Sequence, residues 1–274
     1  MKKLLVPTDF SKCAGSAMKY AMEIALQTGT DIISLHSISP YEGVDVDGSG
    51  LLWIREYQEA KAKALNTWIK KYKSNPRYKG VNISTKCNIG FTVTDINEVA
   101  KEEGVDMIVM GTTGATGVGG MLFGSIAGGV ISTTKTPTFL IPLSGKYTEK
   151  CGFAMATDFE NHCSKASIDV VSDVLKAHHQ SILKIVHVLP IGGSKPLAQK
   201  EKDMAAKMKG ATLEFNYLHD DHIPNAINNF LEISDSKILC SIAHRHGYMH
   251  KLFKGSITKK LAFQAHTPLL VLFD

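Results

Sequence analysis

The chain has 274 residues, of which 44% are hydrophobic and 21% charged, and this composition excludes a protein that is disordered throughout. The length exceeds the roughly 150 residues of an average domain and predicts about two domains. The net charge of +5 is spread evenly and no run of Lys or Arg exceeds two residues, so we expect no nucleic-acid partner.

The apolar runs, the first residues and the cysteines together indicate a cytoplasmic protein. No apolar run reaches the ~20 residues of a membrane-spanning helix, so we expect no membrane partner. Residues 1–9 lack the apolar stretch and the cleavage site of a signal peptide. The five cysteines include no C-x-x-C pair, which predicts reduced thiols rather than a disulfide framework or a zinc site.

The first elements of the chain alternate between apolar strands and amphipathic helices. Residues 3–6 predict a buried strand, and Ser11 can cap a helix whose apolar face recurs at helical spacing until Gly29. The later elements are strands at 31–38, 81–88, 106–110 and 138–142, and helices at 51–72, after a cap at Thr92 or Thr94, and at 124–134. This alternation is typical of a doubly wound α/β fold with a parallel sheet, which binds ligands at the carboxyl ends of its strands.

The chain also repeats itself. Four segments, at 5–11, 33–38, 122–126 and 136–137, return in the same order at 154–160, 184–189, 253–257 and 267–268. An ordered set of matches indicates an internal duplication. We therefore predict two tandem doubly wound domains, each with a five-stranded parallel sheet, at residues 1–146 and 147–274, the second being shorter.

The stretch from Met110 to Ile126 is rich in glycine and lies between a buried strand and a helix. Glycine lets a ligand approach the main chain closely. Gly124 and Ser125 open the helix, whose first N–H groups and positive dipole end favour phosphate. Asp9, after the first strand, is placed to bind a ribose hydroxyl or a metal ion on the phosphates. The alternative is a glycine loop that binds nothing, and the spacing matches neither the Walker motif nor the dinucleotide fingerprint.

The spacing Gly111-x-x-Gly114, then nine residues, then Gly124-Ser125 resembles the nucleotide-binding signature of the universal stress protein family. Residues 6–11, 35–37 and 103–111 are similar to other segments of that family. The resemblance covers residues 2–142 well and 151–274 more weakly. It implies a Rossmann-like fold of the adenine nucleotide alpha hydrolase type, with the two copies packed as an intramolecular pseudo-dimer and room for a further homodimer.

The resemblance also implies a pocket for ATP, or for ADP or AMP, with or without Mg. Pro7, Thr8 and Asp9 would line the ribose and adenine side, and the main chain of Ser37 would meet the adenine edge. The ribose and the phosphates would be held by Met110, Gly111, Thr112, Gly114, Gly124, Ser125 and Ile126.

The second copy departs from this pattern. It keeps Asp158 and Gly255-Ser256, but residues 243–246 read Ala-His-Arg-His where the first copy has its paired glycines. Side chains would stand where the main chain must approach phosphate, so we expect nucleotide binding in the first copy alone. The alternative is electrostatic contact with phosphates from His244, Arg245 and Lys254. The histidines at 219–222 and 244–250 match no standard metal-site spacing, and we predict no metal ligand.

The function that these features favour is an ATP-binding regulatory or sensor module of a stress response, with an unspecified protein partner. We assign no catalytic residue, because the first copy's loop has no paired base and arginine, and we expect weak ATP hydrolysis at most. The alternatives are a slow ATPase or nucleotidyl transferase on the same fold, and a nucleotide-free scaffold for protein interactions.

Overall fold

The computed structural model describes residues 1–42, 50–114, 124–159, 164–193, 198–208, 210–243 and 267–273. None of the helices in these segments combines the length and the hydropathy that crossing a bilayer requires. The first half contains, in chain order, β1 Lys3–Pro7, α1 Lys12–Thr28, β2 Asp31–Ile38, α2 Gly50–Lys73, a short 3-10 helix Pro76–Tyr78, β3 Ile83–Ile89, α3 Thr92–Glu102, β4 Met107–Gly111, α4 Ser125–Thr133 and β5 Thr138–Ile141.

The second half repeats the alternation of strands and helices. Its elements are β6 Gly152–Ala156, α5 Lys165–Ala177, β7 Ile182–Leu189, α6 Ala198–Lys207, β8 Thr212–His219, α7 Ile223–Ile233, β9 Ser236–Ala243 and β10 Leu269–Phe273. The α/β fold predicted from the sequence is therefore confirmed.

The helix ends test the capping predictions directly. The hydroxyl of Ser11 accepts the N–H of Ala14 at 3.1 Å, and Gly29 ends α1 in the left-handed region at φ 70°, as predicted. The expectation that Thr92 or Thr94 caps α3 was wrong. The cap residue is Phe91, which has extended backbone and makes no side-chain cap bond. A capping hydroxyl needs that extended backbone, whereas both threonines already lie within the helix.

The strands form one sheet in the order β3-β2-β1-β4-β5-β10-β9-β6-β7-β8. Within each half the five strands are parallel, as predicted. The two halves meet where β5 and β10 pair antiparallel, with Leu140 opposite Leu269 and Phe139 opposite Leu270. The two five-stranded sheets are thus joined edge to edge rather than merely packed together.

Apolar side chains cover both faces of this sheet. One cluster unites β1 and β4 with α1, α2 and α5 through residues such as Met18, Leu65 and Val174. The other unites the opposite strand faces with α3, α4 and α7. In the first half the strand order reverses between β1 and β4. The carboxyl ends of these two central strands therefore border the crevice in which open α/β sheets bind ligands.

A buried aromatic cluster links the two halves. The side chains of Tyr20 and His178 are 1% and 0% exposed, and the Tyr20 hydroxyl lies 3.2 Å from His178 Nε2. His178 Nδ1 lies 2.6 Å from the carbonyl oxygen of Thr148, and Tyr147 stacks on the imidazole at 4.5 Å. Since a carbonyl only accepts, Nδ1 carries the hydrogen. Burial lowers the pKa of His178, which leaves Nε2 to accept from the tyrosine hydroxyl. The neutral imidazole is therefore the form that this interface accommodates.

The turn after the first strand recurs in the second half. Within residues 8–10 the threonine hydroxyl accepts the N–H of the phenylalanine at 3.0 Å, and the phenylalanine has φ 64°. His36 Nδ1 donates to the carbonyl of Thr8 at 2.8 Å. Residues 157–159 and His187 repeat this arrangement at 3.1 and 2.7 Å, with φ 58°. Matches in the sequence thus correspond to matched geometry.

Candidate functional site

A cavity of about 270 Å³ opens at the carboxyl ends of β1, β2 and β4, beside α3 and the first turns of α1 and α4. All the site residues predicted from the sequence line it: Pro7, Thr8, Asp9, Ser37, Met110, Gly111, Thr112, Gly114, Gly124, Ser125 and Ile126. The lining also includes residues that were not predicted: Ala14, Leu35, His36, Thr92, Ile96, Thr113 and Ala127. Residues 115–123 of the glycine-rich stretch lie outside the described residues.

The first turn of α4 forms one wall of the cavity. Gly124 is its cap residue, with extended backbone at φ −65° and ψ 163°, and its N–H donates to the Thr112 carbonyl at 2.7 Å. The first N–H groups of a helix have no partner within the helix, and glycine has no side chain to bind them. Ser125 and Ile126 are exposed. The positive end of α4 is therefore presented to the cavity without a side-chain cap.

Asp9 lines the same cavity as this helix end. Its Oδ1 accepts the N–H of Ser11 at 3.0 Å, which fixes the carboxylate at the start of α1. A Cβ atom on Gly114 would lie 3.0 Å from Asp9 Oδ2. The carboxylate therefore sits directly against the glycine-rich stretch, where a side chain at position 114 would displace it.

The other end of the cavity is bordered by Ser37 on β2. Backbone groups of a strand alternate in direction, so the N–H and C=O of Ser37 point to the same side as the Leu35 carbonyl. That carbonyl accepts the N–H of Thr8, which identifies this side as the one facing β1 and the cavity. The Ser37 hydroxyl donates to Asp95, whose other oxygen accepts from Asn88 at 2.7 Å. No sequence motif pointed to Asp95 or Asn88, because the contacts join three separate elements.

Charge is sparse around the cavity. Of the lining residues that the structure describes, Asp9 is the only Asp, Glu, Lys or Arg. The other polar side chains of the lining are those of His36, Thr8, Ser37, Thr92, Thr112, Thr113 and Ser125. Such a site can hold an anion at the helix end through N–H groups and a hydroxyl-bearing ligand near the carboxylate.

Comparison with known proteins tests the resemblance noted in the sequence. The sequence model of the universal stress protein family matches residues 1–142. The chain belongs to the universal stress protein family. The matched segment contains the whole described lining of the cavity.

Individual relatives agree with this assignment. A universal stress protein of Methanocaldococcus jannaschii is 34% identical over 142 residues, which cover 51% of this chain and 81% of the relative. A second one from the same organism is 30% identical over 152 residues, covering 51% and 94%. The crystal structure of a universal stress protein from Archaeoglobus fulgidus covers 99% of this chain and 96% of its own, at a TM-score of 0.71 and 20% identity. At that identity the likeness shows the fold over both halves.

The second half of this universal stress protein contains a partly described counterpart of the site. Thr157 and Asp158 occupy the turn after β6, and His187 lies beside them. Residues 244–246 of the predicted departure, and the retained Gly255-Ser256, lie outside the described residues. Across the described ranges, no group of three His, Cys, Asp or Glu is placed to hold a metal ion.

Gly111→Ala is expected to destabilise this universal stress protein by about 1–3 kcal/mol. The new Cβ would lie 2.8 Å from the Cys13 sulfur and 3.1 and 3.2 Å from backbone atoms of Cys13 and Ala14, so the start of α1 must move. Urea unfolding followed by circular dichroism measures the change. Gly128→Ala on α4 is the control, because nothing lies within 4 Å of its added Cβ. Equal stability of the two variants would contradict the close packing at Gly111.

Proposed function

We propose that this universal stress protein binds an adenine nucleotide, ATP foremost, in the cavity of its first half and acts as a regulatory or sensor module of a stress response. The observation that carries the proposal is the first turn of α4, which has no side-chain cap and faces a cavity that Asp9 also lines. Membership in the family supports the same function for the matched residues 1–142.

Different parts of the cavity lining would contact the phosphates, the ribose and the adenine of such a nucleotide. The N–H groups of Ser125 and Ile126 would bind the phosphates, and Gly111 and Gly114 would let the phosphate chain approach the backbone. Asp9 would accept from the ribose hydroxyls or hold Mg on the phosphates, since magnesium is commonly bound by one or two carboxylates with phosphate oxygens. Adenine would lie toward Ser37. When bound, magnesium would neutralise part of the charge of the phosphates.

The proposal extends to the organisation of the chain. We place the domain boundary at residues 146 and 147, in the segment between β5 and β6, and regard the halves as an intramolecular pseudo-dimer. The antiparallel pairing of β5 with β10 supports this arrangement. None of the cysteines in the described ranges forms a disulfide, which agrees with a cytoplasmic location.

Titration of the purified protein with ATP by calorimetry tests the proposal. We expect saturable binding of one nucleotide per chain, because the paired glycines occur in the first half alone. Two nucleotides per chain would contradict the single site, and no binding would favour an interaction scaffold. Mass spectrometry of ligand released from freshly purified protein is an independent test, because it identifies the bound nucleotide. Turnover of ATP at about 1–10³ s⁻¹, the ordinary range for enzymes, would overturn the sensor function in favour of an ATPase.

A further inference from the structure

Asp95 is a buried carboxylate that lies beside the cavity without lining it. The residue is 7% exposed and sits in the first turn of α3. A buried carboxylate is costly unless its oxygens are hydrogen-bonded. Here one oxygen accepts from the Ser37 hydroxyl and the other from the Asn88 side-chain amide. Asp95 therefore binds together the end of β2, the end of β3 and the start of α3.

Two of these elements, β2 and α3, line the base end of the proposed nucleotide site. Ser37 contributes to the cavity from β2, and Thr92 and Ile96 contribute from α3 on either side of Asp95. The turn from β3 into α3 also packs closely here, since a Cβ on Gly90 would lie 3.6 Å from that of Asp95. A change in the Asp95 carboxylate would therefore shift the wall at this end and leave the α4 end in place.

We propose that Asp95 is a positioning residue that fixes the Ser37 main chain and thereby makes the site prefer adenine to guanine. The inference rests on the proposed function and names the base specificity of that same site. Adenine offers an amino donor and a ring-nitrogen acceptor on its Watson–Crick edge, whereas guanine offers an oxygen acceptor and a ring N–H donor. A rigid Ser37 N–H and C=O that pair with the adenine edge meet groups of the wrong kind on the guanine edge. Polar groups are then left unpaired, which weakens the binding of guanine.

The test compares three ligands on the full chain: ATP, GTP and inorganic tripolyphosphate, which reports on the phosphate end alone. Asp95→Asn leaves one acceptor oxygen where Ser37 and Asn88 now use two, and it removes the charge. We expect ATP affinity to fall about tenfold, the ratio of ATP to GTP affinity to shrink by a similar factor, and tripolyphosphate affinity to change less than about twofold.

Two further variants make the result specific. Glu98→Gln removes one negative charge from the exposed side of the same helix and should leave all three affinities unchanged. Ser37→Ala removes only the hydroxyl link, keeps Asp95 bonded to Asn88, and should reproduce the loss of base preference. The double variant should lose less than the sum of the two single losses, because both act through one contact.

The outcomes separate the inference from the function on which it rests. An unchanged ATP to GTP ratio in Asp95→Asn would overturn the positioning role. Equal losses for ATP and tripolyphosphate would also overturn it, because they would indicate a general structural effect. If circular dichroism shows that Asp95→Asn does not fold, the ratio of ATP to GTP affinity in Ser37→Ala tests the positioning role instead. Wild-type protein that binds neither ATP nor tripolyphosphate would reject the proposed function and the inference together.

Discussion

Gly114→Asp is expected to reduce ATP affinity by about a hundredfold or more, which corresponds to roughly 3 kcal/mol. The new Cβ would lie 3.0 Å from Asp9 Oδ2, so a second carboxylate would stand beside the first at the point where the phosphates approach the backbone. Two like charges about 4 Å apart repel by roughly 1–4 kcal/mol at the dielectric constants of a protein surface. The bound phosphates would add to this repulsion. Calorimetric titration with ATP measures the loss.

Two control variants separate charge from volume and from general damage. Gly128→Asp adds the same side chain to α4 at a position with no atom within 4 Å of its Cβ, and we expect wild-type affinity. Gly114→Ala adds volume without charge, and the Asp9 side chain can move to accommodate it, so we expect a smaller loss than for Gly114→Asp. Unimpaired ATP binding by Gly114→Asp would reject the site and favour the scaffold function.

Lowering the pH from 6.5 to 4 is expected to destabilise the fold through His178 by about 3 kcal/mol. Burial lowers the pKa of His178 from 6.5 to about 4, against the opposing effect of the Thr148 carbonyl. Between these values the unfolded chain binds a proton that the folded chain does not, so the free energy of unfolding falls with falling pH. The slope is about 1.4 kcal/mol per pH unit from this residue alone. Above pH 6.5 its contribution is constant.

Urea unfolding at several pH values between 4 and 7.5 measures this dependence. His178→Gln removes the titrating group and should flatten the profile across this window, whatever its effect on stability at pH 7.5. His179→Asn is the matched control, since that neighbour is 45% exposed and asparagine tolerates its φ of 51°. A slope that persists in His178→Gln would assign the dependence to other groups.

Local sequence signals pointed to the glycine-lined end of the cavity more fully than to the end at Ser37. Gly111, Gly114 and Gly124 stand out in the sequence because glycine leaves the main chain open to close approach at each position by itself. Asp95 could not be recognised in this way, since its role depends on where β2, β3 and α3 meet in space. The strands themselves were predictable from apolar runs and terminating residues.

Two other features also lay beyond local patterns. The Tyr20–His178 contact joins residues from different halves, and no spacing in the sequence brings them together. The cap of α3 was misassigned because two threonines near the helix start look equivalent until the backbone shows that both lie inside the helix. Local signals therefore defined the elements, whereas contacts between elements had to be observed.

The position of β10 has a consequence for how the chain folds during synthesis. Among the described strands β10 comes last in the sequence, yet it lies at the centre of the sheet against β5. While the chain emerges from the ribosome, the open edge of β5 has no neighbour until residues 269–271 have been made. An unpaired edge is a template for strands of other molecules, which makes aggregation a hazard at this stage. The brevity of β5, four residues, limits that template.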